Sequence, residues 1–374
     1  MRSRPVLLAA GGTGGHLFPA AALAEELRAR GSTVSLATDS RAEKYGGAFA
    51  AEAVHRIPSA TLTSRSPLAV AATFARLGIG YADALLLLAR LRPRAVIGFG
   101  GYPTLPPIIA ACTLRIPTAI HEQNAVMGRA NRLLSRFADR IALSFIPTNL
   151  LSDTALSKTS LVGIPVREAV LAFRNTPYHP PDPAERLRVL VFGGSQGAHF
   201  FSEVLPPALL RLAPQLRNRL SVVQQAREED MRGAQEAYRK ANIEAVVAPF
   251  FRDLPERIAS AHLVIARAGA STVAELTTVG RPALLVPLPH ALDNDQLENA
   301  TRLEQAGGGW CVRQSGLTGE RLAKLIEDLL SAPARLAEAA ARSHAMARPD
   351  AVKLLADLVE EIARPQEPSR HAHA

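Results

Sequence analysis

Two glycine-rich turns carry the residues of this chain best suited to chemistry. The first, Gly11 to His16 (GGTGGH), follows the apolar run Val6–Ala10. The second, Gly193 to Ala198 (GGSQGA), follows Val189–Phe192, about 180 residues later. A strand that turns on glycines into a helix gathers backbone N–H groups and a positive helix end at one point, which suits a phosphate. Thr13 adds a hydroxyl to the first turn, and Gly14 and Gly15 let the backbone approach a ligand closely. His16 stands at the helix entrance. Its titration near neutrality makes it a candidate general base, although a lone histidine there would read as a helix end without a task. Ser195 and Gln196 are the polar residues of the second turn.

Four other stretches can be read both ways. Gly98–Thr104 (GFGGYPT) is a strand-to-loop turn in which Tyr102 or Thr104 could bond a ligand. At His121–Asn124 (HEQN), Asn124 could cap the following helix. Equally, four polar residues at the carboxyl end of a strand describe an α/β ligand site. Arg267–Glu275 (RAGASTVAE) contains Thr272 and Glu275 at the spacing of a capping box. It also reads as a diphosphate site at a helix start led by Arg267, with Glu275 accepting from ribose hydroxyls. Asp293–Ala300 (DNDQLENA) holds a D-x-D triplet of the kind that grips a divalent ion in some sugar transferases. Here it falls late in the chain, after Val286–Pro289, so we set the metal aside. Gln296 and Asn299 are expected to meet sugar hydroxyls, with no cofactor. A dinucleotide fingerprint fails: Gly12 and Gly14 fit G-x-G-x-x-G, but Leu17 stands at its third glycine. Asp39 alone does not restore it.

The elements that position these residues alternate. Strands are expected at Val6–Ala10, Thr33–Ala37, Ala95–Phe99, Pro117–Ile120 and Arg140–Leu143, with helical patterns at Pro19–Arg30 and Ala125–Phe137. The plan repeats with strands at Arg188–Phe192, Leu220–Gln224, Ala245–Val247, Leu263–Ala266 and Ala283–Val286, and with helices after Gly197, Ala270 and Asp295. Such alternation predicts parallel sheets with right-handed crossovers. Residues 174–186 contain four prolines and no periodicity, and read as a linker. Pro67–Arg92 is strongly apolar and ringed by Arg76, Arg90, Arg92 and Arg94. Arg76 and Asp83 argue against a span, and Gly78 and Gly80 weaken a helix. A core helix plus loop, or an apolar surface with a basic rim resting on an anionic leaflet, both remain open.

Composition sets the outer limits. The chain has 374 residues, enough for two domains, and 48% of them are apolar, so it forms a core. A net charge of +9 favours an acidic partner such as a nucleotide-sugar or an anionic membrane. Nucleic acid is disfavoured, because aromatics are only 5% and no zinc-finger or RNA-binding signature occurs. The two cysteines, Cys112 and Cys311, read as buried thiols. The apolar run after Arg2 and Arg4 is too short for a secretory signal and reads as the first strand.

Taken in order, GGTGGHLFPA, GFGGYPTLPP, HEQNAVMGRANRLLSRFADR, GIPVR, GGSQGA and RAGASTVAELTTVGRPALLVPLPHALDNDQLENA resemble the MurG family of bacterial N-acetylglucosaminyltransferases. The likeness runs from about Val6 to Ala363. It implies a GT-B fold, α/β with two Rossmann-like doubly wound domains facing a cleft. The expected division is residues 1–173 for the acceptor and membrane, 174–186 as linker and 187–350 for the donor. A helix at 351–363 would pack back on the first domain, and 364–374 would form a disordered tail. The likeness also implies an inverting transfer of GlcNAc from UDP-GlcNAc to the muramoyl C4 hydroxyl of lipid I, giving lipid II and UDP for peptidoglycan, and with it cell shape and division. The site would be peripheral, at the cytoplasmic face of the inner membrane, beside other cell-wall synthesis proteins.

By position, Thr13, Gly14 and Gly15 would belong to the substrate site and His16 would be the base, with Glu122 second. Asn124, Arg167 and Ser195 would touch the donor. Ala270, Ser271, Thr272, Val273, Ala274 and Glu275 would line uridine and ribose, and Gln296 the GlcNAc hydroxyls. The Phe74–Leu88 patch resembles the family's membrane-docking surface. Three departures stand out: Ile164 where Asn is usual, Phe251 where an Ile packs on uracil, and Asp295 where His or Gln precedes Gln296. A diacylglycerol glycosyltransferase and a non-catalytic membrane-surface scaffold are the alternatives.

Overall fold

The computed structural model describes residues 4–11, 14–39, 51–60 and 66–364. The chain divides into two compact units, Met1–Pro165 with Asp350–Ala374, and Val166–Pro349. In the first, the order is β1 (Val6–Ala9), α1 (Gly14–Ala29), β2 (Val34–Thr38), β3 (Ala53–Arg56), α2 (Pro67–Leu91), β4 (Ala95–Gly98), α3 (Leu105–Thr113), β5 (Thr118–Glu122), α4 (Arg129–Leu134), β6 (Arg140–Leu143) and β7 (Thr159–Leu161). The second holds α5 (Glu168–Leu171), β8 (Leu187–Phe192), α6 (Gly194–Leu210), α7 (Pro214–Arg217), β9 (Leu220–Gln225), α8 (Glu228–Lys240), β10 (Glu244–Ala248), α9 (Leu254–Ser260) and β11 (Leu263–Ala266). It continues with α10 (Ala270–Val279), β12 (Ala283–Leu285), α11 (Asp295–Gln305), β13 (Gly309–Cys311), α12 (Gly319–Leu330) and α13 (Pro333–Ala345). The last helix, α14 (Ala351–Ala363), returns to the first unit.

Both sheets are parallel, in the orders β3-β2-β1-β4-β5-β6-β7 and β10-β9-β8-β11-β12-β13. Each therefore reverses direction of growth once, beside its first strand. Ligands of doubly wound sheets bind at that switch point, outside the carboxyl ends of the strands. The two glycine turns follow β1 and β8, and so both lie at a switch point. Strands β1 and β4 are buried along their whole length, as continuous apolar runs in a sheet covered on both faces should be. Strands β3, β7 and β13, which the apolar pattern does not announce, are sheet edges.

In the first unit, α1 and α14 cover one face: Leu23 and Leu27 meet Leu355 and Val359 in one core. Burying Leu355 and Val359 contributes about 1.5–3 kcal/mol each. Arg30 ties the two helices at their rim, bonding Asp357 at 2.5 Å and Glu360 at 3.2 Å. The proline-rich segment 174–186 is packed on the second unit, where the Tyr178 hydroxyl donates to the His262 carbonyl and Arg281 donates to the carbonyls of Thr176 and Pro177. The tail 365–374 lies outside the described residues. Cys112, in the last turn of α3, and Cys311, at the end of β13, are free thiols and half-buried rather than buried.

Helix α2 runs unbroken through Gly78 and Gly80, the two glycines expected to weaken it. The Ser66 side chain caps the first turn by accepting from the Ala69 N–H, Pro67 pre-sets the helical φ, and the chain stops at Arg92 in the left-handed region. Gly80 is there for contact, since a Cβ would fall 2.0 Å from the Pro58 carbonyl oxygen. From that point Gly80, Ala84 and Leu88 form a buried stripe. The preceding turns do not pack: Phe74 is 69% exposed and Ile79 57%. By length and composition alone, Ala69–Leu91 could cross a membrane.

Candidate active site

The first switch point is built from the loops after β1, β4 and β5. The Gly11 N–H donates to the Gly100 carbonyl at 3.2 Å, and the Phe99 N–H to the Ala9 carbonyl at 2.8 Å, so the β1 and β4 turns are clasped. The His16 ring rests on this clasp. Gly100 has φ +89°, and a Cβ there would lie 3.2 Å from His16 Cε1 and 3.3 Å from Asn131 Nδ2. Conformation and close approach both require glycine at that position. Helix α1 opens at Gly14, leaving the N–H groups of Gly14, Gly15 and His16 in a first turn without intrahelical acceptors. A Cβ on Gly15 would meet nothing within 4 Å, so among the described residues the helix start is open beside Gly15. Gly12 and Thr13 lie outside the described residues.

The HEQN stretch divides by strand alternation, because neighbouring side chains take opposite faces. On one face, His16 Nδ1 meets Gln123 Oε1 at 3.1 Å, and Gln123 Nε2 reaches His121 Nδ1 at 2.8 Å. On the other, Glu122 is buried and accepts four bonds: from the Asn124 N–H (3.0 Å) and Nδ2 (3.3 Å), the Gly128 N–H (2.9 Å) and Asn131 Nδ2 (2.9 Å). Burial pushes the Glu122 carboxyl above its usual range, and its donors pull it back. Enclosed in this way, Glu122 shapes the 123–131 loop and is not placed to take a substrate proton. Asn124 does not cap α4. Gly128 stands at that cap, and the Asn124 amide turns back onto Glu122. Tyr102 packs half-buried against the unit's core, and the buried Thr104 hydroxyl is committed to the Gly101 carbonyl at 2.7 Å, which removes Thr104 as a ligand contact.

Burial of His121 has a pH consequence. Desolvation pushes its pKa from 6.5 down to about 4; its bond to the Gly163 carbonyl opposes the shift, and the nearby His16 adds to it. The unfolded chain therefore binds a proton near pH 6.5 that the folded chain refuses until about pH 4. Stability is complete above that window and falls with acidification through it, by about 1.4 kcal/mol per pH unit. Urea midpoints at pH 7.5, 6.5 and 5.5 should drop accordingly. The drop should be shallower in His121→Asn, and an identical slope in the variant would assign the acid sensitivity elsewhere. His262, also held near 4 mainly by burial, adds a parallel contribution in the second unit.

At the second switch point, Gly194 opens α6 with φ +64° and its N–H donates to Gln225 Oε1 at 3.1 Å. Ser195 and Gln196 form the first turn of α6, and their side chains lie outside the described residues. Helix α10 opens at Ala270 with Gly269 at its cap, so Thr272 is its third residue and no capping box forms. Glu275 is instead buried and accepts from Arg167 Nη2 at 2.8 Å. Burial raises the Glu275 carboxyl, and the Arg167 charge and bond oppose this. Ala270 and Val273 are buried and offer only backbone, whereas Ser271, Thr272 and Ala274 are partly exposed. The buried Ser271 Oγ has no hydrogen-bond partner. Gln296 accepts from the Leu288 N–H at 3.0 Å through Oε1, which fixes the loop after β12 and leaves Nε2 to donate.

Three assignments change. Arg267 does not reach a phosphate site. It is 6% exposed, donates to the carbonyls of Val286 and Pro287 and to Gln314, and lies over the rings of Phe200 and Phe201. Burial lowers its pKa to about 10, the expected result of enclosing a guanidinium without a carboxylate. Asn299 is fully buried and ties α11 to the Ala268 carbonyl at 3.1 Å, so it supports the loop and does not meet sugar. Phe251 is buried beneath the Arg257 guanidinium, and the exposed neighbour is Phe250. In the D-x-D triplet, Asp295 Oδ1 accepts from the Gln296 N–H at 2.7 Å.

Two family descriptions match the chain: "Glycosyltransferase family 28 N-terminal domain" over residues 6–143 and "Glycosyltransferase family 28 C-terminal domain" over residues 188–355. A Brucella abortus (strain 2308) protein named "UDP-N-acetylglucosamine--N-acetylmuramyl-(pentapeptide) pyrophosphoryl-undecaprenol N-acetylglucosamine transferase" is 54% identical over 358 residues, 96% of this chain and 94% of the relative. The protein of the same name from Brucella suis biovar 1 is 54% identical over 357 residues, with the same coverage. The crystal structure of Acinetobacter baumannii MurG superposes with a TM-score of 0.76 at 30% identity, covering 96% of this chain and 99% of that one. A UDP-GlcNAc 2-epimerase from Neisseria meningitidis, bound to UDP-GlcNAc, shares the fold with a TM-score of 0.68 at 14% identity, covering 96% of this chain and 100% of that one.

Proposed function

The chain belongs to the MurG family of glycosyltransferases, within family 28, and from that premise we propose that it moves GlcNAc from UDP-GlcNAc to the C4 hydroxyl of the muramoyl sugar of lipid I. It is a hexosyltransferase of the GT-B fold, and its products are lipid II and UDP. The observation that carries the reading at the level of chemistry is His16, a histidine seated on a glycine clasp at a switch point beside an open helix end. A base takes the acceptor proton as the C4 oxygen attacks the anomeric carbon, and charge grows on the departing diphosphate. His16 is that base. The first-turn N–H groups of α1 suit the diphosphate of the lipid acceptor. Those of α6, with Ser195, suit the diphosphate of UDP, and the α10 start with the Arg167–Glu275 pair suits uridine and ribose. Gln296 Nε2 is the donor for GlcNAc hydroxyls.

The direct test is lipid II formation from UDP-GlcNAc and a lipid I analogue. Well-folded protein without turnover would end the proposal. Diacylglycerol offered in competition should not be glycosylated.

Membrane attachment follows from α2. Its unpacked turns present Phe74 and Ile79, with Leu77 half-buried between them and Arg76, Arg90 and Arg92 exposed along the same helix. This surface rests on the anionic cytoplasmic leaflet, where the lipid acceptor is held. Vesicle binding should rise with anionic lipid content. A Phe74→Ser, Leu77→Ser double variant should bind at least ~10-fold more weakly, since each side chain brings about 1–2 kcal/mol of apolar burial. Binding equal to that of the unaltered protein would rule this patch out.

A further inference from the structure

The buried polar chain behind His16 has directions that can be worked out atom by atom. Gln123 Nε2 lies 3.0 Å from the His121 carbonyl oxygen, which only accepts. The Gln123 amide therefore cannot be turned the other way, because its oxygen would then face a carbonyl oxygen. With Nε2 so placed, Gln123 donates to His121 Nδ1, and His121 must carry its proton on Nε2. That proton is donated to the Gly163 carbonyl at 2.8 Å. At the other end, Gln123 Oε1 only accepts, so His16 Nδ1 must be the donor across the 3.1 Å contact. The two Gln123 Nε2 protons go to His121 Nδ1 and the His121 carbonyl, and the His121 Nε2 proton goes to Gly163, with Ser144 Oγ, whose own proton is on the Glu122 carbonyl, 3.5 Å away; reversing any member would set two acceptors or two donors against each other.

We propose that Gln123 and His121 are positioning residues that hold neutral His16 as the Nδ1–H tautomer, so that Nε2 carries the lone pair. The inference rests on the reading of His16 as the base, and it adds which nitrogen acts and what decides it. When the acceptor hydroxyl is deprotonated, its proton goes to His16 Nε2 while the oxygen's electron pair forms the new glycosidic bond and the anomeric carbon–oxygen bond to the diphosphate breaks, its electron pair leaving with UDP. Nδ1 keeps its proton on Gln123 throughout. The polariser is a neutral amide and not a carboxylate, so it fixes the tautomer without drawing His16 into the protonated state that could not act as a base. His121 can serve as an uncharged anchor because it is fully enclosed, with 0% exposure.

The test is a tautomer measurement on the full-length protein labelled with ¹⁵N-histidine, with the His16 signals assigned by their loss in His16→Ala. At pH 8 the His16 ring should show a protonated Nδ1 and an unprotonated Nε2, the opposite of the form free histidine favours. Gln123→Leu should shift it toward the Nε2–H form. The same variant should lower kcat by at least ~10-fold while leaving KM for UDP-GlcNAc within about twofold. An Nε2–H ring in the unaltered protein would overturn the proposal, and this arm needs no variant to fold. So would a tautomer that survives Gln123→Leu. If the tautomer is as stated but no GlcNAc is transferred, the relay stands and the functional reading fails, so the two are separable.

Discussion

Replacing His16 by alanine is expected to lower turnover by ~100-fold or more, equivalent to about 2.7 kcal/mol of transition-state stabilisation. The side chain is half-buried and its ring lies on the Gly100–Gly101 turn, so its removal leaves a small gap at the surface of the switch point and no cavity in the core. Thermal stability should therefore change little. The KM for UDP-GlcNAc should also hold, because most of the groups proposed for the donor, at α6, α10 and Gln296, belong to the second unit. The predicted signature is a fall in kcat with unchanged KM, as for a group acting only in the transition state. Steady-state kinetics on purified protein decide it. A variant within threefold of the unaltered enzyme would move the base to another residue.

Glu122→Leu is expected to act on stability. It would strip the acceptor from four donors on Asn124, Gly128 and Asn131 at the centre of the 123–131 loop. A buried donor left unmade costs about 1–3 kcal/mol, and partial relaxation of the loop should bring the total to about 3–5 kcal/mol. For a unit of this size the melting temperature should fall by about 10 °C or more. Glu122→Gln keeps the shape but sets an NH₂ against donors, and should lose roughly half as much. Its folded fraction should still turn over far faster than His16→Ala, because Glu122 shapes the loop and does not move the proton. Unfolding midpoints within 1 kcal/mol of the unaltered protein for both variants would show that the carboxylate is dispensable.

The central strands and the glycine turns were legible because each is written locally. β1, β4 and β11 lie inside sheets covered on both faces and are apolar and buried throughout, and β8 departs from this only at Arg188 near its start. β3 alternates between half-buried and exposed along Ala53–Arg56, and β7 is only partly buried, so neither leaves an apolar run to read. An edge strand is stabilised from one side only, and its identity comes from the neighbour it pairs with. The division of HEQN could have been read from alternation, since His121 and Gln123 must share a face that Glu122 does not. That signal is hidden by treating the four residues as one polar cluster.

The sequence by itself determined the two-sheet plan, the placing of a glycine turn after the first strand of each sheet, and the family. Periodicity, turn chemistry and residue order all act over short stretches. The tertiary structure decided which polar residues remain available for chemistry. Arg267 and Asn299 are spent on carbonyls of neighbouring loops, Phe251 is covered while Phe250 is exposed, and Gly80 serves a contact where it read only as a weakening of the helix. The pairs that define the sites are far apart in the chain: His16 and Gln123 by 107 residues, Arg167 and Glu275 by 108. A hydrogen-bonding group has the same composition whether it faces a ligand or a carbonyl. Only the packing that brings its partner within about 3 Å assigns it to one or the other.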